Sequence, residues 1–231
     1  MAFMRNFATR LLSSVAALAL TLCWGADASG NGPSLVSDTS KAAAPATPVA
    51  LPRIPAVDPA IALEGPSLVE ALRGGGYVLY LRHTETGQVT EQCNVSNLTE
   101  AGRQAARKLG EDIKHLKLPF DKVISSEVCR VLETAQLMDI APIETHPDLY
   151  RHPKSPEHKF GEGRWRLITD TPPTSKNRLL AGHMQHGNGS TDRLYLEMGE
   201  IIIFRPDGKG NAGVVARVRA SEWQALLRGA R

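Results

Sequence analysis

Aromatic residues are scarce in this chain, 5% of 231 residues, and cysteine is scarcer, with three in all. So few cysteines exclude a small disulfide-stapled scaffold. The main apolar run near the amino end, Leu11 to Trp24, falls short of the roughly 20 residues that a membrane-spanning helix needs. Neither a collagen period nor a heptad is present. An excess of one charge is also missing: 27 basic residues face 24 acidic ones, for a formal charge of +3. Such balance gives no reason to expect nucleic acid or an anionic membrane as partner. What the chain does have is apolar residues, 42% of the total, too many for a disordered chain. They are unevenly placed. Alanine crowds the first sixty positions, and Ile, Val and Leu dominate later.

The front of the chain sorts into two parts. Arg5 and Arg10 precede the apolar run, and the small residues around Ala26 and Ala28 follow it, which is the layout of a secretory signal peptide, residues 1–28. Cys23 invites a lipidated amino terminus, but Leu22 stands where such a site wants a small residue. Cleavage after Ala28 leaves 25 basic and 23 acidic residues, a formal charge of +2. Residues 29–60 are rich in Ala, Pro, Ser and Thr and cannot bury enough surface to offset their ordering entropy. They read as an extended linker. One folded unit, residues 61–231, remains, of ordinary single-domain size.

Within that unit strands and helices alternate. Ser67 with Glu70 predicts a capping box ahead of a short helix that ends at Gly74 to Gly76. "YVLYLRH" reads as a strand buried on both faces. Thr99 caps a long helix with Ala101, Ala105, Leu109, Ile113 and Leu116 on one face, stopped by Pro119. "KVISS" is the next strand, and Ser126 opens a helix carrying Val128, Val131, Leu132, Ala135 and Met138. From Ile140 to Lys176 the sequence predicts loops with one short strand near Phe160. "RLLAGH" is a third buried strand, "EIIIFRPDGKGNAGVVARVR" a hairpin, and Ser221 caps a last helix. This order predicts an α/β protein with a mostly parallel sheet.

Two of these strands end in histidine, at His83 and His183, and a third ends just before Arg130 at a helix start. Ligands of parallel sheets bind beyond the carboxyl ends of the strands, so Arg82, His83, Arg130 and His183 converge in this reading. Arginine presents a planar donor fork that fits phosphate oxygens, and helix starts attract anions. "LRHTET", "LTEAGRQAARKLG", "ISSEVCRVLETAQL" and "AGH", in that order, resemble the signature of the histidine phosphatase superfamily, with Thr84 where Gly is commoner. "GEIIIFRPDG" resembles the closing hairpin of its small secreted members. The resemblance runs from about Tyr77 to Trp223. It implies a three-layer α/β/α sandwich of the phosphoglycerate mutase-like type.

It also implies an activity. The family's pattern makes His83 the nucleophile of a phosphoric monoester hydrolase, with Arg82, Arg130 and His183 holding the phosphoryl oxygens, no cofactor and no metal. A neutral imidazole is a competent nucleophile near neutral pH. The leaving oxygen also needs a proton. Met184 and Gln185 follow His183 where one branch of the family keeps Asp, which leaves Glu85, Glu162, Glu197 and Glu200 as sources, Glu200 being favoured. The expected partner is a phosphorylated small molecule, an envelope sugar phosphate or a phosphoprotein, met by an exported monomer in the periplasm or outside the cell.

Two other functions compete with that reading. One is a phosphate-binding protein on the same fold without efficient turnover. The other is a zinc hydrolase built on His146, His152, His158, His183 and His186, whose spacing fits no familiar ligand set. Cys93 and Cys129 form a disulfide beside the pocket or remain separate thiols.

Overall fold

The computed structural model describes residues 56–90, 95–150, 160–183 and 196–229. The strands are β1 (Val78–Arg82), β2 (Thr86–Thr90), β3 (Val95–Leu98), β4 (Phe120–Ser125), β5 (Ile143–Thr145), β6 (Asn177–Gly182), β7 (Ile201–Pro206) and β8 (Ala212–Val218). The helices are α1 (Gly65–Gly74), α2 (Glu100–His115), α3 (Cys129–Met138), α4 (Phe160–Thr169) and α5 (Trp223–Gly229). Six strands form one sheet in the order β5-β4-β6-β1-β7-β8, and β2 and β3 pair separately. β5, β4, β6 and β1 run parallel, while β7 and β8 are antiparallel additions. The sheet is mostly parallel, as expected.

Side chains alternate across a strand, and β1 shows what each face meets. Leu79 and Leu81 join Leu72 of α1, Leu109 of α2, Val131 of α3 and Trp223 of α5 in one buried cluster. Val78 and Tyr80 point the other way, into a cluster with Ile168 of α4 and Leu149. Helices on both faces make the three layers. β1 and β6 lie in the middle, so both their faces are covered and every residue of the two strands but the half-buried Arg82 is buried. Truncating a core leucine here, such as Leu79→Ala, belongs to the class of change that costs about 2–5 kcal/mol.

Several local expectations needed correction. The α1 helix starts at Gly65 with Pro66 in its first turn, which puts Ser67 inside the helix, where its hydroxyl donates to the Glu64 carbonyl at 2.7 Å instead of forming a capping box. The Thr99 cap does form, its hydroxyl accepting from the Gly102 N–H at 2.9 Å. The buried stripe of α2 runs through Gly102, Ala106, Leu109 and Ile113, whereas Ala101 and Ala105 face solvent. The α3 helix begins at Cys129, three residues beyond Ser126. Near Phe160 the chain forms a helix, α4, and the expected strand is found earlier as β5. The polypeptide is also ordered before Ile61: Asp58 N–H bonds to Val214 O at 3.2 Å and Leu63 N–H to Val215 O at 2.9 Å, alongside β8. Among the described residues no helix is long and apolar enough to cross a membrane.

Candidate active site

The parallel pairing of β1 with β6 aligns Arg82 with Gly182, so the residues that follow, His83 and His183, leave the sheet side by side. The His83 N–H bonds to the Gly182 carbonyl at 3.2 Å, and the two imidazoles meet edge to face with centroids 5.5 Å apart. Between them lies Arg130, from the first turn of α3. Its Nε is 3.2 Å from His83 Nε2 and its Nη2 is 3.2 Å from His183 Nδ1. All three side chains are buried.

These contacts fix the tautomers. A carbonyl only accepts, so His83 Nδ1, 2.8 Å from Thr84 O, carries the proton. Its Nε2 then holds a lone pair, and a guanidinium, which only donates, faces it. On His183 the same logic makes Nδ1 the acceptor from Arg130, leaving Nε2–H to donate to Ser126 Oγ at 3.2 Å. Ser126 Oγ also accepts from the Val128 N–H at 3.3 Å. This hydroxyl therefore joins the second histidine to the start of α3.

Thr84, where Gly is commoner in the resembling family, is 2% exposed. Thr134 of α3 accommodates it. The Thr134 Oγ1 donates to the Arg130 carbonyl at 2.7 Å and lies 3.3 Å from both the Thr84 N–H and the Thr84 hydroxyl. Thr134 and Ser126 are the supporting residues that sequence reasoning missed. Only the pair of serines at the end of β4 hinted at one of them.

Arg82 and Glu200 continue the opposite alternation, in step with Val78 and Tyr80 on β1 and with Ile202 on β7. Arg82 Nη1 donates to Leu196 O at 2.6 Å, and burial lowers its pKa from the ordinary arginine value. With Glu197, Glu200, Arg217, Arg219 and Glu222 it lines a cavity of about 600 Å³. Glu200 is 4% exposed. Its Oε1 accepts from Arg217 Nε at 2.8 Å and its Oε2 from the Glu197 N–H at 2.7 Å. Both oxygens of this carboxylate thus accept, which ties it to β8 and to the main chain at Glu197.

The other expected acids are placed as follows. Glu85 accepts from the Thr99 hydroxyl at 2.6 Å, Glu197 pairs with Arg219 at 3.3 Å, and Glu162 lies in the first turn of α4. Among the described residues no group of three or more His, Cys, Asp or Glu is placed to hold a metal ion. His146 accepts from the Asp148 N–H at 3.1 Å, and His152, His158 and His186 lie outside the described residues, as do Met184 and Gln185. Cys129 is disulfide-bonded. Cys93, its expected partner, also lies outside the described residues.

The fold is thus an α/β sandwich with a mostly parallel sheet, whose two central strands end in histidines bridged by a buried arginine. Residues 78–151, which hold "LRHTET" and Arg130, match the family model of the histidine phosphatase superfamily, branch 1. The chain is also similar to the mitochondrial serine/threonine-protein phosphatase Pgam5 of Drosophila grimshawi, 34% identical over 62 residues, 27% of this chain and 22% of that protein. For Pgam5 of Drosophila ananassae the figure is 36% over the same length and the same shares. The match thus spans about a fifth of these relatives' length. Among solved structures, the protein histidine phosphatase SixA complexed with tungstate aligns with a TM-score of 0.49 at 17% identity, over 63% of this chain and 98% of that one. A mutant phosphoserine phosphatase of Entamoeba histolytica in complex with phosphoserine aligns with a TM-score of 0.45 at 14% identity, over 62% and 97%.

Proposed function

We propose that the protein is a metal-independent phosphatase that hydrolyses phosphomonoesters through a phosphohistidine on His83. The observation that carries this reading is the tautomer: a buried imidazole with its proton held by Thr84 O and its lone pair on Nε2, facing a guanidinium. In the first step Nε2 attacks phosphorus and the bond from phosphorus to the leaving oxygen breaks, the oxygen taking the electron pair and a proton. In the second, water attacks phosphorus, the P–N bond breaks, and the imidazole recovers its lone pair. Arg130 and His183 surround the transferring oxygens and Arg82 adds positive charge at the flank. In a loose transition state such preorganised charge supplies most of the catalysis.

The substrate is a phosphorylated small molecule, an envelope sugar phosphate or a phosphoprotein, reached by an exported, monomeric enzyme. The test is a phosphomonoester panel run on the wild type and on His83→Ala in the presence of a chelator. Hydrolysis by the wild type, undiminished by the chelator and abolished by His83→Ala, is expected, together with an acid-labile phosphoryl label on the wild type alone. A protein that binds inorganic phosphate but never labels or turns over is a binding protein, and activity lost to the chelator is that of a metal hydrolase. Either result overturns the proposal. Single Gln substitutions of Glu85, Glu162, Glu197 and Glu200, assayed on an alkyl phosphate, identify the proton source. The variant lacking it loses activity on the alkyl ester and keeps it on a nitrophenyl ester, whose leaving group needs no proton.

A further inference from the structure

Behind the second histidine, on the α4 side of the sheet, stands a buried polar chain that the chemistry above does not use. Tyr80, in the middle of β1, has no exposed surface, and its hydroxyl donates to the main-chain carbonyl of His183 at 3.0 Å. It reaches that carbonyl by passing over Gly182, where a β-carbon would collide with the hydroxyl oxygen. Arg164 of α4 is buried on the same side, 3% exposed. Asp148, itself 8% exposed, lies against α4 at Gly163, where a β-carbon would meet its carboxylate.

Phenylalanine would fill the space of Tyr80 without a hydroxyl to satisfy. The donor's target is the backbone of His183, whose N-terminal neighbour Gly182 is already bonded to the His83 N–H. Gly182 O and His183 O are thus each held from the β1 segment that presents His83.

We propose that Tyr80 is a positioning residue that fixes the second histidine through its carbonyl and so sets the distance between the two imidazoles. The proposal rests on the phosphatase reading for its kinetic consequence but not for its structural one. In Tyr80→Phe the hydroxyl alone is lost. The expected result is a kcat on p-nitrophenyl phosphate lower by about tenfold, the effect of one lost aligning hydrogen bond, with KM little changed, together with displaced ¹⁵N ring signals of His183.

Unaltered His183 signals in Tyr80→Phe overturn the proposal, even if the melting temperature falls, because a purely structural hydroxyl would change stability alone. If the wild type hydrolyses no phosphomonoester, the phosphatase reading fails by itself. The ring signals still decide whether Tyr80 positions His183, since they need no turnover.

Discussion

Arg130 holds both imidazoles at once, through Nε on one and Nη2 on the other. A lysine has a single nitrogen and no fork, so Arg130→Lys keeps the charge and loses the bridge. We expect kcat/KM for phosphomonoesters to fall by about 100-fold, in the range found for losing one preorganised donor, with the circular dichroism spectrum unchanged; a loss below about threefold would deny Arg130 its place. Glu200 presents the converse case. Glu200→Gln weakens a buried bond to Arg217, and a cost of about 1–3 kcal/mol is expected in urea unfolding.

The residue scale is also where sequence reasoning was most uneven. His83 and His183 were legible because each closes a continuous apolar strand. Alternation along a strand carries the Arg82 and Glu200 side chains in step with Val78 and Tyr80, a relation their positions beside the histidines did not display. Tyr80 itself was invisible as a polar residue, since in sequence it is one more large side chain in "YVLYLRH".

At the scale of elements, α2 fixes where α3 stands, and through it Arg130. A β-carbon at Gly110 would collide with the Met138 carbonyl oxygen, so at the C-terminal end of α3 the two helix backbones touch with no side chain between them. Arg103 Nε and Glu133 Oε1 join the same helices at 2.7 Å. Gly110→Ala is expected to destabilise by about 1–3 kcal/mol, as overpacked sites do, and to lower kcat by displacing α3, measured by urea unfolding and by p-nitrophenyl phosphate turnover.

The turn of the closing hairpin adds a pH dependence. Hydrogen bonds from the Lys209 and Asn211 N–H groups hold the Asp207 pKa below the ordinary aspartate value. A lowered folded pKa contributes stability that is present above the unfolded value, about 3.9, and is lost as pH falls through the folded one. Asp207→Asn is expected to flatten the acid limb of a thermal-melt profile below about pH 4 while leaving the neutral region little altered.

The hairpin itself was legible from its two β-branched runs around an Asp-Gly turn. The α4 helix was not, because Gly161 and Gly163 and three charged residues hide a helix that tertiary contact at Ile168 stabilises. The β2–β3 pair was missed for a related reason: "TGQVT" carries no apolar alternation to read.

At the scale of the whole molecule, every described residue lies within the compact unit 48–231. Export through residues 1–28 is our proposal, and amino-terminal sequencing of protein recovered outside the cytoplasm is expected to begin at Ser29. Cleavage there removes Cys23 and leaves two cysteines. Thiol titration of the denatured mature protein is expected to find none free before reduction and two after it.

That disulfide has a consequence for anyone who prepares the protein. Cys129 immediately precedes Arg130, so the arginine between the histidines hangs from a helix end tied by a bond that survives only where thiols are oxidised. Growth in a reducing cytosol, or a thiol in the buffer, therefore yields a chemically different molecule with an identical sequence. The history of the sample becomes a variable of the site, and two laboratories assaying one gene product would be comparing two proteins.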